Sequence, residues 1–168
     1  DVLTLGCLVT PYAVDWDGDG DLDFICGNSA GYIAFVENLS GPGVERPKWA
    51  EPKRMTVKDP AKCRVGMWLR GDVIQSRGGD SSSPQGPAEA KWGYTVCTVA
   101  DWDGDGFLDV MANDIKGSVV WFRNPGQKGA TCLEAPQAVE VEWEGAQPRF
   151  AWEGRKPTGN PERAGCER

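Results

Sequence analysis

The sequence predicts an all-β protein built from tandem four-stranded antiparallel units of the propeller-blade type, each carrying an acidic turn. Three observations predict it. The nine-residue run Asp15-Trp-Asp-Gly-Asp-Gly-Asp-Leu-Asp23 returns 86 residues later as Asp101-Trp-Asp-Gly-Asp-Gly-Phe-Leu-Asp109. Short apolar, β-branched and aromatic runs flank both copies and are separated by Gly/Asn/Asp turns, the signature of hairpins. Finally, 22 glycines and 12 prolines in 168 residues supply the many turns that such a fold needs.

The first strand of each unit is read at Leu8–Val14 and Tyr94–Ala100, running into the first Asp of the turn. Pro11 removes a ladder donor, which places that strand at an edge or a bulge. In the turn, aspartates at positions 1, 3, 5 and 9 can converge on one hard cation, and glycine at position 6 allows the sharp bend. Side-chain ligands are assigned to Asp15, Asp17, Asp19 and Asp23, with the carbonyl of Asp21. The second set is Asp101, Asp103, Asp105 and Asp109, with the carbonyl of Phe107. A Phe at the carbonyl position fits, because only its backbone oxygen is needed. All-oxygen donor sets of this kind suit calcium, about two ions per chain, one in each loop.

The sequence argues against an EF-hand, the obvious rival. That loop requires a bidentate Glu at position 12 and flanking helices, whereas position 12 is Cys26 or Ala112. The following segments read as strands: Leu22–Cys26 turning into Tyr32–Val36, and Leu108–Ala112 turning into Ser118–Phe122. Asn38 matches Asn124 at the end of those hairpins. After a two-residue gap a fourth strand is read at Glu51–Val57 and Ala135–Val141. Strand, loop, strand, turn, strand, loop, strand is the order of a propeller blade.

With these motifs in view, the chain resembles the FG-GAP and VCBS type of repeat, on the two Asp-x-Asp-x-Asp-Gly-x-x-Asp loops and on segments such as Lys91–Tyr94 and Val99–Gly106. The resemblance spans roughly residues 6–57 and 91–145. It implies extracellular calcium-binding propeller blades, as in integrin α chains and secreted bacterial proteins, some of them attached to polysaccharide lyases. In that family the loop aspartates bind calcium as structural staples.

The expected organisation is a first blade-like repeat at 1–60, an irregular insertion at 61–90, a second repeat at 91–145 and a tail at 146–168. Within the insertion an extra hairpin is expected around Arg70-Gly71, followed by a long loop at 76–87. A closed ring takes about four to eight blades, so two are expected to be completed by further blades of a longer chain or by copies assembling into a ring or filament.

Composition narrows the function further. The net charge is −7 with the basic residues scattered, which argues against a nucleic-acid partner. No apolar run is long enough to span a membrane, and the chain reads as a mature secreted or cell-surface protein. Six cysteines allow three disulfides in that setting. The absence of histidine removes the commonest general base, and no nucleophile elbow or phosphate loop is present. The expected role is therefore structural or adhesive and not enzymatic. The alternative is a carbohydrate-binding portion of a secreted polysaccharide lyase, with some of the eight tryptophans stacking on sugar rings. Arg70-Gly71-Asp72 and the glycosylation acceptor Asn38-Leu39-Ser40 are short matches that carry little weight.

Overall fold

A computed structural model describes residues 2–63, 69–76, 93–113, 117–142 and 144–145. The protein is all-β, with three four-stranded sheets and, among the described residues, no α-helix. Strands β1 (Thr10–Val14), β2 (Asp23–Gly27), β3 (Ile33–Val36) and β4 (Lys53–Arg54) form the first sheet in sequential antiparallel order. Strands β8 (Val96–Ala100), β9 (Asp109–Asn113), β10 (Val119–Phe122) and β12 (Gln137–Ala138) form the second, again antiparallel.

The two sheets share one register. Tyr12 lies opposite Ile25 and Thr98 opposite Met111; Ile25 pairs with Phe35 as Met111 pairs with Trp121. The fourth strands keep the two-residue gap, Phe35 facing Lys53 and Trp121 facing Gln137. Pro11 lies on an edge strand, where its missing N–H leaves no gap in a ladder. The first strands begin two residues later than the pattern predicts, because Leu8 and Tyr94 adopt φ of 50° and 44°. Left-handed backbone at a bulky residue is costly and interrupts extended structure.

The third sheet is not foreseen by the repeat. It joins β11 (Cys132–Leu133), β5 (Thr56–Val57), β7 (Val73–Ile74) and β6 (Leu69–Arg70), with β11 and β5 parallel. The predicted strand Glu51–Val57 is split by Met55. Its N–H donates to Ile33 O in the first sheet at 2.9 Å, and its carbonyl accepts from Ile74 N in the third at 3.0 Å. The hairpin expected at Arg70-Gly71 is β6–β7; residues 64–68 and the long loop from 77 onward lie outside the described residues, as does the tail from 146.

One apolar core runs through all three sheets. Ile25, Ile33 and Phe35 of the first sheet meet Cys97, Val99, Val110, Ala112, Val120 and Phe122 of the second, while Met55, Val57, Ile74 and Leu133 close it from the third. Each of the larger side chains contributes on the order of 1.5–3 kcal/mol by leaving water. The turn joining β2 and β3 packs backbone to backbone on the insertion: a Cβ at Gly31 would stand 2.0 Å from Ser76 O, and Gly31 has φ +86°. Only glycine fits there.

Candidate functional site

Both acidic loops fold by accepting their own backbone N–H groups. In the first, Asp19 N donates to Asp17 Oδ1 at 3.2 Å, Gly20 N to Asp15 Oδ2 at 3.2 Å and Asp21 N to Asp19 Oδ1 at 3.0 Å. The second repeats this with Asp105 N on Asp101 and Asp103, Gly106 N on Asp101 Oδ2 and Phe107 N on Asp105 Oδ1. Gly20 and Gly106, at φ +98° and +89°, make the bend that alternate aspartates require.

The result is two triads. Carboxylate oxygens of Asp15, Asp17 and Asp19 lie within 4.8 Å of one another, as do those of Asp101, Asp103 and Asp105. The predicted closing residues, Asp23 and Asp109, are fully buried at the starts of β2 and β9. Asp23 accepts Trp16 N at 3.1 Å on one oxygen and Asn38 N at 2.8 Å on the other. Asp109 accepts Trp102 N at 3.2 Å and Asn124 N at 2.7 Å. They pin the loop entrance to the end of the second hairpin strand. Asp21 Oδ2 accepts Gly41 N at 2.9 Å, and its Oδ1 is buried without a hydrogen-bond partner among the described residues.

The electrostatics of the two loops differ. Burial pushes the Asp17 carboxyl above its ordinary range, and Asp19, Glu37 and Asp15 add repulsion. Burial also raises Asp23, against the two N–H groups that lower it. Asp15 Oδ1 is buried with no hydrogen-bond partner among the described residues. An orphaned carboxylate oxygen inside a triad of hard oxygen donors is what a divalent cation would satisfy, so the residues fit calcium.

In the second loop a protein cation is already present. Arg123 Nε donates to Asp103 and Arg123 Nη2 to Asp105 at 2.9 Å, and these bonds raise the Arg123 pKa. The matching position in the first unit is Glu37, which is paired with Lys53 at 3.3 Å. The exchange of Glu37 for Arg123 in an otherwise faithful repeat is the only sequence signal of this difference. Asn38 and Asn124, strand ends by the sequence pattern, also act on the loops. Each caps its loop, the side-chain amide donating to Leu22 O or Leu108 O.

Of the remaining sequence candidates, Trp49 stacks on Phe24 with ring centroids 4.6 Å apart, beside a cavity of about 290 Å³. Cys7, Cys26, Cys97 and Cys132 are free thiols, the middle two buried; burial pushes Cys26 up to about 11 and Cys97 up to about 12. Arg70 and Asp72 flank the β6–β7 turn on the exposed surface. No helix among the described residues is long and apolar enough to cross a membrane. Comparison of the chain with protein-family profiles, curated proteins and solved structures finds no match.

Proposed function

We propose that this is an extracellular calcium-binding repeat protein with a structural or adhesive role, whose two units are propeller-type blades similar to FG-GAP and VCBS repeats. The observation that carries the reading is the unpartnered Asp15 Oδ1 within the first triad. Asp15, Asp17 and Asp19 would hold one ion and Asp101, Asp103 and Asp105 a second, completed by the carbonyls of Asp21 and Phe107. Asp23 and Asp109 would set the loop entrances and could offer remaining lone pairs.

The protein's part is to gather like charges at a cost that the ion repays. Calcium bound to the folded loops and not to the unfolded chain stabilises the fold by mass action. Affinity of ~10⁻⁴–10⁻³ M, usual for extracellular modules, would keep the loops loaded outside cells. Further blades, from a longer chain or from copies of this one, would complete the sheets.

The test is calorimetric titration of the protein with calcium and, separately, with magnesium. Two ions bound per chain, with the first lost in Asp15→Asn, is the expected result. Absence of heat and of any calcium-dependent rise in melting temperature would sink the reading. The alternative, a carbohydrate-binding portion of a secreted polysaccharide lyase, is favoured by one observation, the Phe24–Trp49 pair beside a cavity. Retardation on a polysaccharide affinity gel would support it.

A further inference from the structure

The two units are packed on each other by a plug and a socket, and among the described residues a second copy of each stands exposed. Trp16, at the second position of the first loop, is 2% exposed. Its Nε1 donates to Ala130 O at 3.0 Å, and its carbonyl accepts Gly129 N at 3.1 Å. Trp102, its equivalent in the second loop, is 56% exposed. The same contrast holds on the sheet face below: Ile33 is 0% exposed and its equivalent Val119 is 46% exposed.

The receiving surface is duplicated in the same way. Beside Trp16 the second unit contributes Gly106, Phe107, Leu108, Asn124 and Lys128 to a cleft shared with the first loop. The residues 86 positions earlier, Gly20, Asp21, Leu22, Asn38 and Pro42, all line the cavity on the first unit. The backbone agrees: Gly43 and Gly129 have φ of +75° and +68° at the second residue of matching turns. Gly43 and Val44 are exposed, whereas Ala130 is buried. Val99 is likewise buried, and its equivalent Ala13 is exposed at the cavity wall. Deeper on that face Cys26, Ala34 and Val36 are already buried, so the free socket is confined to its loop end.

We infer that the Trp102 loop of one chain docks in the cavity of the first unit of a second copy, repeating between chains the contact that Trp16 makes within one. In that contact Trp102 Nε1 donates to Val44 O and Gly43 N to the Trp102 carbonyl. Plug and socket are different surfaces, so the interface is heterologous and propagates as a ring or an open filament. The inference rests on the calcium reading in one respect. Asp21 stands where Phe107 stands in the intramolecular contact, so docking brings an extra carboxylate toward the second loop, and a bound cation offsets it.

The experiment is light scattering after size exclusion in millimolar calcium on the wild type, Trp102→Ala, Val44→Glu and an equimolar mixture of the two variants. Both substitutions are at exposed side chains, and unchanged melting temperatures confirm folding. Calcium uptake is measured on the monomeric variants. Expected are a wild-type mass that climbs between ~1 μM and ~100 μM, the range of a modest interface, and monomers for each variant alone. The mixture should give one species of about twice the monomer mass and nothing larger, because each variant retains one working surface. A wild type that stays monomeric, or variants that fail to complement, overturns the docking. If calcium is still taken up in that case, the calcium reading stands. Association without calcium uptake supports the docking and removes the calcium reading. Polysaccharide held by the socket of a wild type that remains monomeric also overturns the docking.

Discussion

Arg123 donates to Asp105 at 2.9 Å and to Asp103 beside it, so the second loop holds an internal cation where the first loop faces Glu37. A metal entering the second loop has to displace that guanidinium; one entering the first does not. Arg123→Gln is therefore expected to tighten calcium binding at the second loop about threefold, a modest gain because the ion pair being removed is exposed and screened by solvent. Titration should change from two resolved steps toward one. The gain should shrink at high salt, which screens the charge being removed.

Asp23 satisfies two backbone donors at once, and its loss should be felt throughout the first unit. Asp23→Ala leaves Trp16 N and Asn38 N buried without acceptors. Hydrogen bonds to charged groups are worth about 1.5–3 kcal/mol each, so a loss of about 3 kcal/mol is expected. Urea denaturation in chelator reads this without contribution from calcium. Asp15→Asn, at a residue with an orphaned oxygen, should under the same conditions be neutral or mildly stabilising.

Calcium should raise stability by about 2.7 kcal/mol at a hundredfold excess over the dissociation constant of one site. Melting followed in calcium, magnesium and chelator checks this. Magnesium dehydrates reluctantly and demands tight octahedral geometry, so it should give a clearly smaller shift.

Thiol reagents should divide the cysteines. Cys7 and Cys132 are exposed and expected to react promptly at neutral pH, whereas Cys26 and Cys97 wait for unfolding. Their folded-state values lie above the ordinary thiol value of 9.0, at about 11 and about 12. The stabilisation they provide by staying protonated is complete below pH 9.0 and is lost as pH rises through those folded values. Mass spectrometry of labelled peptides at pH 7 and pH 9 separates the two classes.

The strands and loops were legible because their signals are local. Alternate aspartates and a glycine dictate the turn, and runs such as Tyr32–Val36 dictate the strand that follows. The fourth strands keep the expected register and are shorter than the pattern implies; in the first unit Met55 bonds to two sheets at once, and no residue pattern marks a crossing point. The third sheet is not legible in the sequence because its strands are pairs of residues drawn from three distant segments. In the site, the triads followed from spacing alone. Arg123 did not, because its contact with Asp105 spans 18 residues of sequence. Nor could the sequence separate Trp16 from Trp102, identical in their motifs and opposite in exposure.

Ser76 and Gly93 meet across Gly31: both pack against that glycine, and a Cβ on Gly93 would stand 2.4 Å from Ser76 O. The chain thus leaves the sheets and re-enters them at one point, anchored by Ser76 N on Gly31 O and Gly93 N on Ser29 O. Ser76 and Gly93 are thus two fixed points that the scaffold holds side by side. By closure entropy alone, doubling a flexible connection between two such points costs only about 0.6 kcal/mol. An epitope or a tag inserted between them is therefore expected to leave both acidic loops in place.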